Sequence, residues 1–263
     1  MEIDPEVSAH YAAGEEHGRL TARPSLELVR TRVLLERFLP PAPARVLDVG
    51  GGAGVHASWL AERGHRVRLV DPVALHVTQA RAAGGFEAVE GDARDLDEPD
   101  ASYDAVLLLG PLYHLVAYED RVRALREAAR VARPGAVIVA AAISRYASTF
   151  EGYFRNLVDR PGFAAVMAQD LSTGQHRNPD RVPEFFTTAY FHTPAGLTAE
   201  MERAGLRPKT VLPVEGPLHW APDLERRLTD PVQRRLLLDV LATLERDPAV
   251  TAATAHLLAI ARR

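Results

Sequence analysis

The sequence contains no cysteine among its 263 residues. This absence excludes a disulfide scaffold, a thiolate metal site, an iron–sulfur cluster and a cysteine nucleophile. Lysine occurs once, at Lys209, so Schiff-base chemistry or a phosphate-loop lysine would depend on that single residue. The longest apolar run, residues 136–143, is far shorter than the roughly 20 residues that span a bilayer.

The charge balance has no basic excess either. The chain carries 31 basic and 35 acidic residues, a formal net charge of −4. Non-specific nucleic-acid binding therefore has no electrostatic basis. The first residues are acidic and lack the features of a signal peptide. We expect a cytoplasmic protein whose partners include neither nucleic acid nor a membrane; one sequence leaves its oligomeric state open.

Short apolar segments alternate with helical patterns along most of the chain, which contains 47% hydrophobic residues. Predicted strands cover 45–49, 66–70, 86–90, 105–109, 136–143, 207–214 and 255–261. Predicted helices begin at Ser25, follow the first strand up to Gly64, and cover 73–83, 119–132 and 193–204, with another within 223–246. This order is typical of right-handed βαβ units and a parallel sheet.

One segment interrupts the alternation. Residues 146–191 contain nine of the 17 aromatic residues of the chain. We interpret residues 145–192 as an insertion placed over the mouth of the sheet, where its aromatic side chains would form an acceptor pocket or a small core of their own.

A glycine-rich loop follows the first predicted strand. Gly50, Gly51, Gly52 and Gly54 allow a tight turn and a close approach of the backbone to a ligand, and the next helix directs its free N–H groups to the same place. Asp71 ends the second strand, where a carboxylate can reach the hydroxyls of a ribose. The carboxyl ends of consecutive parallel strands meet at one edge of a sheet, so we expect one ligand site there.

The spacing of the loop separates the candidate ligands. A dinucleotide fingerprint that begins at Gly50 requires glycine or alanine at position 55, which is Val55. The chain also lacks a G-x-x-x-x-G-K-[ST] phosphate loop. The loop instead fits D-x-G-x-G-x-G with Asp48 at its head, and Gly91-Asp92-Ala93 follows the third strand.

With these motifs, residues 45–144 resemble the class I S-adenosylmethionine-dependent methyltransferases, and among them the small-molecule enzymes similar to the quinone-biosynthesis type. The resemblance implies a Rossmann-like three-layer αβα sandwich with a seven-stranded, mostly parallel sheet and an inserted lid after strand 5. The implied division of the chain is an N-terminal helical lid segment (1–40), a cofactor-binding core (41–144), an aromatic-rich lid and acceptor region (145–192) and a C-terminal completion of the core (193–263).

The resemblance also implies roles for individual residues. Asp48 would orient the loop and the cofactor's amino group, Asp71 would bind the ribose, Asp92 would accept from the adenine amine, and the backbone of Ala93 would donate to the ring. The full implied set of cofactor-binding residues is Tyr11, Arg19, Asp48, Gly50, Gly51, Gly52, Asp71, Pro72, Asp92, Ala93, Leu109 and Gly110.

The end of the fourth strand, residues 109–115, would lie beside the sulfonium. It lacks the [ND]-P-P-[YF] motif of enzymes that methylate base or glutamine amino groups. A hydroxyl or carbon-acid acceptor needs a base, and His114 is the favoured candidate, with Tyr113 beside it and His176 and His192 as the next candidates. No close histidine spacing indicates a metal.

The sequence thus predicts an enzyme that transfers a methyl group from S-adenosylmethionine, leaving S-adenosylhomocysteine, to an O, N or C atom of a small, apolar or aromatic molecule. Two other interpretations remain open. One is a protein that binds S-adenosylmethionine without methyl transfer, or uses it for another reaction. The other is a nicotinamide-dependent oxidoreductase, which Val55 and the Gly91-Asp92-Ala93 segment disfavour.

Overall fold

The computed structural model describes residues 25–182 and 184–263. Strands and helices alternate through most of this range, in the order that the sequence predicts. The strands are β1 (Arg45–Val49), β2 (Arg66–Asp71), β3 (Glu87–Glu90), β4 (Tyr103–Leu108), β5 (Ala132–Ser144), β6 (Gln175–His176), β7 (Ala189–His192), β8 (Arg207–Pro213) and β9 (His256–Arg262). The α-helices are α1 (Leu26–Phe38), α2 (Val55–Glu62), α3 (Ala74–Ala83), α4 (Pro111–His114), α5 (Tyr118–Val131), α6 (Ala147–Phe154), α7 (Phe163–Thr173), α8 (Pro194–Arg203), α9 (Leu224–Thr229) and α10 (Pro231–Leu244).

Seven of the strands form the predicted sheet, in the order β3-β2-β1-β4-β5-β9-β8. β9 is antiparallel to both of its neighbours, and the strands from β3 to β5 pair in parallel. The expectation of a mostly parallel, seven-stranded sheet is therefore confirmed. The carboxyl ends of β1, β2 and β4 lie at the same edge, because Val49 pairs with both Val70 and Leu108.

Helices bury both faces of this sheet. α5 and α8 cover one face with side chains such as Leu125 and Leu197. α1, α2 and α3 cover the other face with side chains such as Leu34, Leu60 and Val77. Because both faces are covered, β4 and β5 contain uninterrupted apolar runs, at residues 105–108 and 136–143, rather than alternating patterns. The structure is a three-layer αβα sandwich.

The inserted segment contributes the two short strands beyond the seven. β7 lies beside the end of β5 and pairs with it in parallel, Phe191 with Ile143 and His192 with Ser144. β6 is antiparallel to β7. Helices α6 and α7 precede these strands, and the sequence patterns did not predict either helix. Among the described residues, the structure has no helix with the length and apolar content that crossing a bilayer requires.

A second difference concerns the helix expected within residues 223–246. The structure has two helices there, α9 and α10, which meet at Asp230. The side chain of Asp230 accepts hydrogen bonds from the backbone N–H groups of Val232 and Gln233, and Pro231 occupies the first turn of α10. An N-cap followed by proline starts a new helix, so the long apolar pattern is divided at this point.

Candidate functional site

The glycine loop connects β1 to α2 at the carboxyl edge of the sheet. The backbone N–H of Gly50 donates to the carbonyl of Val70 at 2.7 Å, which holds the loop against β2. Gly50 has a φ of +68°, and a Cβ there would lie 2.8 Å from Cδ of Pro111. Only glycine combines this backbone conformation with this contact, so the loop closely approaches the segment that follows β4.

Gly52 differs from Gly50 in its surroundings. Its φ is also positive, at +58°, but a Cβ placed on it would have no atom within 4 Å. Its backbone N–H donates to Oδ2 of Asp71 at 2.9 Å. The loop is therefore anchored by the predicted ribose-binding carboxylate, while the Cβ position of Gly52 points into open space.

Asp48 lies on β1 below this loop and is almost completely buried, at 1% exposure. Neither of its carboxylate oxygens has a hydrogen-bond partner among the described residues. A Cβ on Gly51 would lie 2.7 Å from Oδ2 of Asp48, so the carboxylate is directed at the loop. Burial, together with the charge of Asp71, raises the pKa of Asp48 to about 7. A buried carboxylate with no partner is costly, which makes Asp48 a candidate ligand-binding group.

Asp71 ends β2, as predicted. Besides the bond from Gly52, its Oδ1 accepts from the backbone N–H of Val73 at 2.9 Å and lies 3.0 Å from Nδ1 of His76. These bonds fix the carboxylate, which retains lone pairs because two carboxylate oxygens offer about four acceptor positions. Pro72, the next residue in the predicted set, is exposed.

Asp92 follows β3 and is paired with Arg94. The Arg94 guanidinium donates to both carboxylate oxygens of Asp92 at 2.6–3.1 Å, and it also reaches Asp120 at 3.0 Å. Burial alone would raise the pKa of Asp92, but the hydrogen bonds and the charge of Arg94 lower it. The sequence patterns did not predict this pairing. The predicted adenine contacts of Asp92 and of Ala93, which is largely buried, stay predictions.

The predicted methyl-donor end forms the short helix α4. Gly110 precedes this helix, and a Cβ there would lie 3.0 Å from the carbonyl oxygen of Gly50. The hydroxyl of Tyr113 donates to the carbonyl of Leu109 at 3.4 Å. The ring of His114 lies 4.6 Å from the Tyr113 ring and 6.1 Å from the ring of Phe186 in the insertion. The structure thus brings the glycine loop, the post-β4 segment and the insertion together.

Tyr11 and Arg19, which belong to the implied set of cofactor-binding residues, lie outside the described residues. The other two histidines considered as bases are both buried in the described structure. His176 contacts Oδ2 of Asp170 through Nδ1 at 2.8 Å. The same oxygen of Asp170 accepts from the hydroxyl of Ser148. This group ties α6, α7 and β6 together, so His176 has a clear structural place within the insertion.

His192 belongs to a buried charged group that the sequence patterns did not predict. Its Nε2 lies 3.2 Å from Oε2 of Glu200, and the guanidinium of Arg121 donates to the same carboxylate at 2.6–3.0 Å. Arg121 also donates to the carbonyls of Leu115 and Val116. Burial lowers the pKa of His192, although Glu200 opposes this shift. The group supports the segment that carries His114.

A further group of titratable side chains was also missed by the sequence analysis. Potential ligand atoms of Glu27, Glu215 and His256 lie within 4.8 Å of one another. These residues come from α1, from the end of β8 and from the start of β9. No spacing in the sequence could have indicated the group, because its members are far apart along the chain. The predicted absence of a metal stays a prediction.

The comparisons with known proteins concern the family and the fold. Residues 47–140 match the family described as "Methyltransferase domain". Ribosomal RNA small subunit methyltransferase C of Chromohalobacter salexigens is 36% identical over 150 residues, which are 53% of this chain and 43% of that protein. Demethylmenaquinone methyltransferase of Deinococcus radiodurans is 34% identical over 143 residues, 50% of this chain and 58% of that protein. The matches thus span about half the length of these curated relatives.

Among solved structures, an S-adenosylmethionine-dependent methyltransferase from Mesorhizobium loti superposes on this chain with a TM-score of 0.61. The two sequences are 20% identical, and the match covers 91% of this chain and 100% of the other. At this level of identity the likeness concerns the fold. The chain therefore has the fold of solved S-adenosylmethionine-dependent methyltransferases, and its residues 47–140 match the family of methyltransferase domains.

Proposed function

We propose that the protein is an enzyme that uses S-adenosylmethionine to methylate a small, apolar or aromatic molecule. The observation that carries this proposal is the Asp48 carboxylate, which is buried below the glycine loop and has no hydrogen-bond partner in residues 25–182 and 184–263, with open space at Gly52. A ligand with hydrogen-bond donors or positive charge would satisfy it. S-Adenosylmethionine has both, because its amino group donates hydrogen bonds and carries a positive charge. This group complements the buried carboxylate of Asp48.

The proposed cofactor site uses the residues at the carboxyl edge of β1 to β4. Asp48 faces the loop and binds the amino group of the cofactor, and Gly50 to Gly52 allow the backbone to approach. Asp71 accepts from the ribose hydroxyls with its remaining lone pairs, and Asp92 and Ala93 bind the adenine. When bound, the cofactor supplies a methyl group activated by a positively charged sulfonium. Leu109 and Gly110 line the same end of the sheet.

The chain's own contribution to methyl transfer is alignment and exclusion of water. Holding two reactants in line is worth up to about 7–11 kcal/mol in favourable systems. We propose that Tyr113 and His114 form one wall of the acceptor site and that residues 145–192 cover it, with Phe186 next to His114. A dry aromatic wall favours a positively charged sulfonium and an apolar acceptor.

The names of the relatives support two classes of acceptor. The demethylmenaquinone relative supports a small, apolar acceptor, and the ribosomal RNA relative supports a nucleic-acid acceptor. The net charge of −4 favours the small molecule, because binding to nucleic acid gains most of its affinity from basic side chains.

A label-transfer experiment tests this proposal. The protein is incubated with S-adenosylmethionine carrying a tritiated methyl group, together with a small-molecule cell extract or, separately, with total RNA. We expect label in small organic products and inhibition by S-adenosylhomocysteine, with heat-denatured protein as control. Label in RNA alone would contradict the small-molecule acceptor. Binding of S-adenosylhomocysteine without label in either fraction would contradict methyl transfer.

A further inference from the structure

Arg94 is a buried cation to which the proposed cofactor site assigns no role. It follows Asp92 and Ala93 in the chain and is only 7% exposed. Its guanidinium donates through Nε to Oδ1 of Asp92 at 2.9 Å and through Nη2 to Oδ2 at 2.6 Å. Its backbone N–H also donates to Oδ1 at 2.9 Å. One residue therefore holds both carboxylate oxygens of Asp92.

These contacts determine how much of the carboxylate is left for a ligand. Burial opposes ionisation of Asp92, but the hydrogen bonds and the charge of Arg94 outweigh it and lower the pKa of Asp92. An ionised carboxylate only accepts hydrogen bonds, at about four positions. Oδ1 receives two of the Arg94 N–H groups and Oδ2 receives the third. About one acceptor position therefore remains, and it is on Oδ2.

Asp92 lies next to the proposed ribose site. Glu90 at the end of β3 pairs with Asp71 at the end of β2. The backbone N–H of Gly91 donates to the carbonyl of Asp71 at 3.2 Å. The carboxylate of Asp71 in turn accepts from the backbone N–H of Gly52 in the glycine loop. The side chain of Asp92 is 22% exposed, so a ligand that lies along this edge of the sheet can reach it.

Helix α5 fixes Arg94 from the other side. Nη1 of Arg94 donates to Asp120 at 3.0 Å, and Nε of Arg123 donates to the backbone carbonyl of Arg94 at 2.8 Å. Glu127 accepts from the backbone N–H of Leu96 at 2.9 Å. Asp120, Arg123 and Glu127 are three and four positions apart, so they lie on one face of the helix. This face holds the backbone and the side chain of Arg94 in one position.

A fixed acceptor distinguishes between purine bases. The exocyclic amino group of adenine donates hydrogen bonds, whereas the oxo group of hypoxanthine at the same place only accepts them. An oxo group that faces Oδ2 of Asp92 is repelled, and both oxygens lose a hydrogen-bond donor. Hypoxanthine also carries a ring N–H beside its oxo group, and a carboxylate that is free to turn can accept from it. Rejection of hypoxanthine therefore requires a carboxylate that cannot turn.

We propose that Arg94 is the positioning residue that makes the cofactor site specific for adenine, because it holds Asp92 with a single acceptor position directed at the exocyclic amino group. This role rests on the proposed cofactor site and names the residue that sets its base specificity. Arg94 acts through Asp92 and does not contact the base itself.

A purely structural role for Arg94 has a different consequence. Arg94 ties the segment after β3 to α5, so its loss could loosen the whole adenine side of the site. Such loosening would weaken the binding of adenine and hypoxanthine ligands by the same factor. The ratio of the two affinities therefore separates the two roles, because only the positioning role changes it.

The first arm of the test uses the full wild-type chain. S-Adenosylhomocysteine and S-inosylhomocysteine, which differ only in the amino or oxo group of the base, are titrated separately in a calorimeter. We expect S-adenosylhomocysteine to bind about 10–100-fold more tightly, which is the usual loss for one hydrogen bond to a charged group. No binding of S-adenosylhomocysteine would contradict the proposed function. Equal binding of the two compounds would overturn this inference and leave the cofactor site intact.

The second arm measures the same ratio in variants. Arg94→Gln should lower it to about threefold or less, and Asp92→Ala should lower it to a similar value. The double variant should show no further decrease, since both changes remove the same oriented acceptor. Arg94→Lys keeps the positive charge but lacks the planar fork that holds two oxygens, so it should also lower the ratio. Arg126→Gln, at an exposed arginine of α5, is the matched control and should keep the wild-type ratio.

The outcome that overturns the role of Arg94 is a folded Arg94→Gln protein with the wild-type ratio, even if both ligands bind more weakly. If Arg94→Gln does not fold, Arg94→Lys and Asp120→Asn provide the comparison. Asp120→Asn weakens the outer contact of the guanidinium and should lower the ratio by less than Arg94→Lys does. A wild-type ratio in both of these variants would overturn the proposal.

Discussion

Asp48 is the residue at which the proposed cofactor binding opposes the stability of the fold. Its carboxylate is buried and has no hydrogen-bond partner among the described residues, and its pKa is raised to about 7 by burial and by the charge of Asp71. The native protein therefore keeps a proton on Asp48 between about pH 4 and pH 7, where the unfolded chain has released it. The free energy of unfolding consequently falls as pH rises through this window.

Replacement of this carboxylate gives a testable consequence. Asp48→Asn should stabilise the protein relative to wild type by a larger amount at pH 8 than at pH 4, with a difference of up to about 4 kcal/mol. It should also weaken binding of S-adenosylhomocysteine. Urea unfolding at the two pH values measures the first effect. Asp239→Asn, at an exposed carboxylate, is the control. A stability change that is the same at both pH values would contradict the assigned pKa.

His56 shows the opposite dependence on pH. Burial lowers its pKa to about 4, and the nearby charge of Arg32 adds to the shift. As pH falls, His56 takes up a proton near pH 6.5 in the unfolded chain but only near pH 4 in the native protein. The free energy of unfolding therefore falls as pH is lowered from about 6.5 to 4. Asp48 therefore favours the folded state at lower pH and His56 favours it at higher pH. The pH dependence of the free energy of unfolding should be measured for the wild type and for a single variant of each residue.

At the scale of the element, the glycine loop can be tested with a matched pair of glycines. Gly52 and Gly135 both have left-handed φ values, +58° and +80°, and a Cβ on either would have no atom within 4 Å. Gly52→Ala and Gly135→Ala should therefore cost similar stability, about 1–2 kcal/mol each. Only Gly52→Ala should lower the affinity for S-adenosylhomocysteine in a calorimetric titration. Equal affinities in the two variants would argue against a ligand at the loop.

The inserted segment has a buried polar centre of its own. Asp170 is completely buried and holds both Ser148 and His176. Asp170→Asn should weaken these charge-assisted bonds, so amide hydrogen exchange within residues 147–176 should accelerate by roughly ten- to a hundredfold. Exchange in β1 and β4 should not change. Asp159→Asn, exposed in the same segment, serves as control, and uniform acceleration across the sheet would contradict a separate role for this centre.

At the scale of the whole molecule, the sheet could be predicted because its signals are local. Most central strands contain apolar or β-branched stretches, and β1 and β2 end at a glycine or a carboxylate, as at Val49-Gly50 and Val70-Asp71. The positions of the loop and of Asp71 at one edge follow from the parallel order of strands alone. The helix expected within 223–246 was divided by Asp230 and Pro231, whose capping signal is also local.

Other features depend on contacts between distant residues. β7 pairs with β5 across the insertion, and Arg121 meets Glu200 79 positions along the chain. Glu215 and His256 are 41 positions apart and meet because β8 and β9 are neighbours. No periodicity in one sequence records such pairings, so the buried charged groups near the site had to come from the structure. The partnership of Asp92 with Arg94 was missed although the residues are close in sequence.

The central claim is that the glycine loop, Asp48 and Asp71 bind S-adenosylmethionine rather than a nicotinamide dinucleotide. A calorimetric titration at pH 8, where Asp48 is ionised, tests it most directly. S-Adenosylhomocysteine and oxidised nicotinamide adenine dinucleotide are titrated separately into the full chain. We expect saturable binding of S-adenosylhomocysteine and no heat of binding with the dinucleotide. Binding of the dinucleotide, with none of S-adenosylhomocysteine, would contradict it.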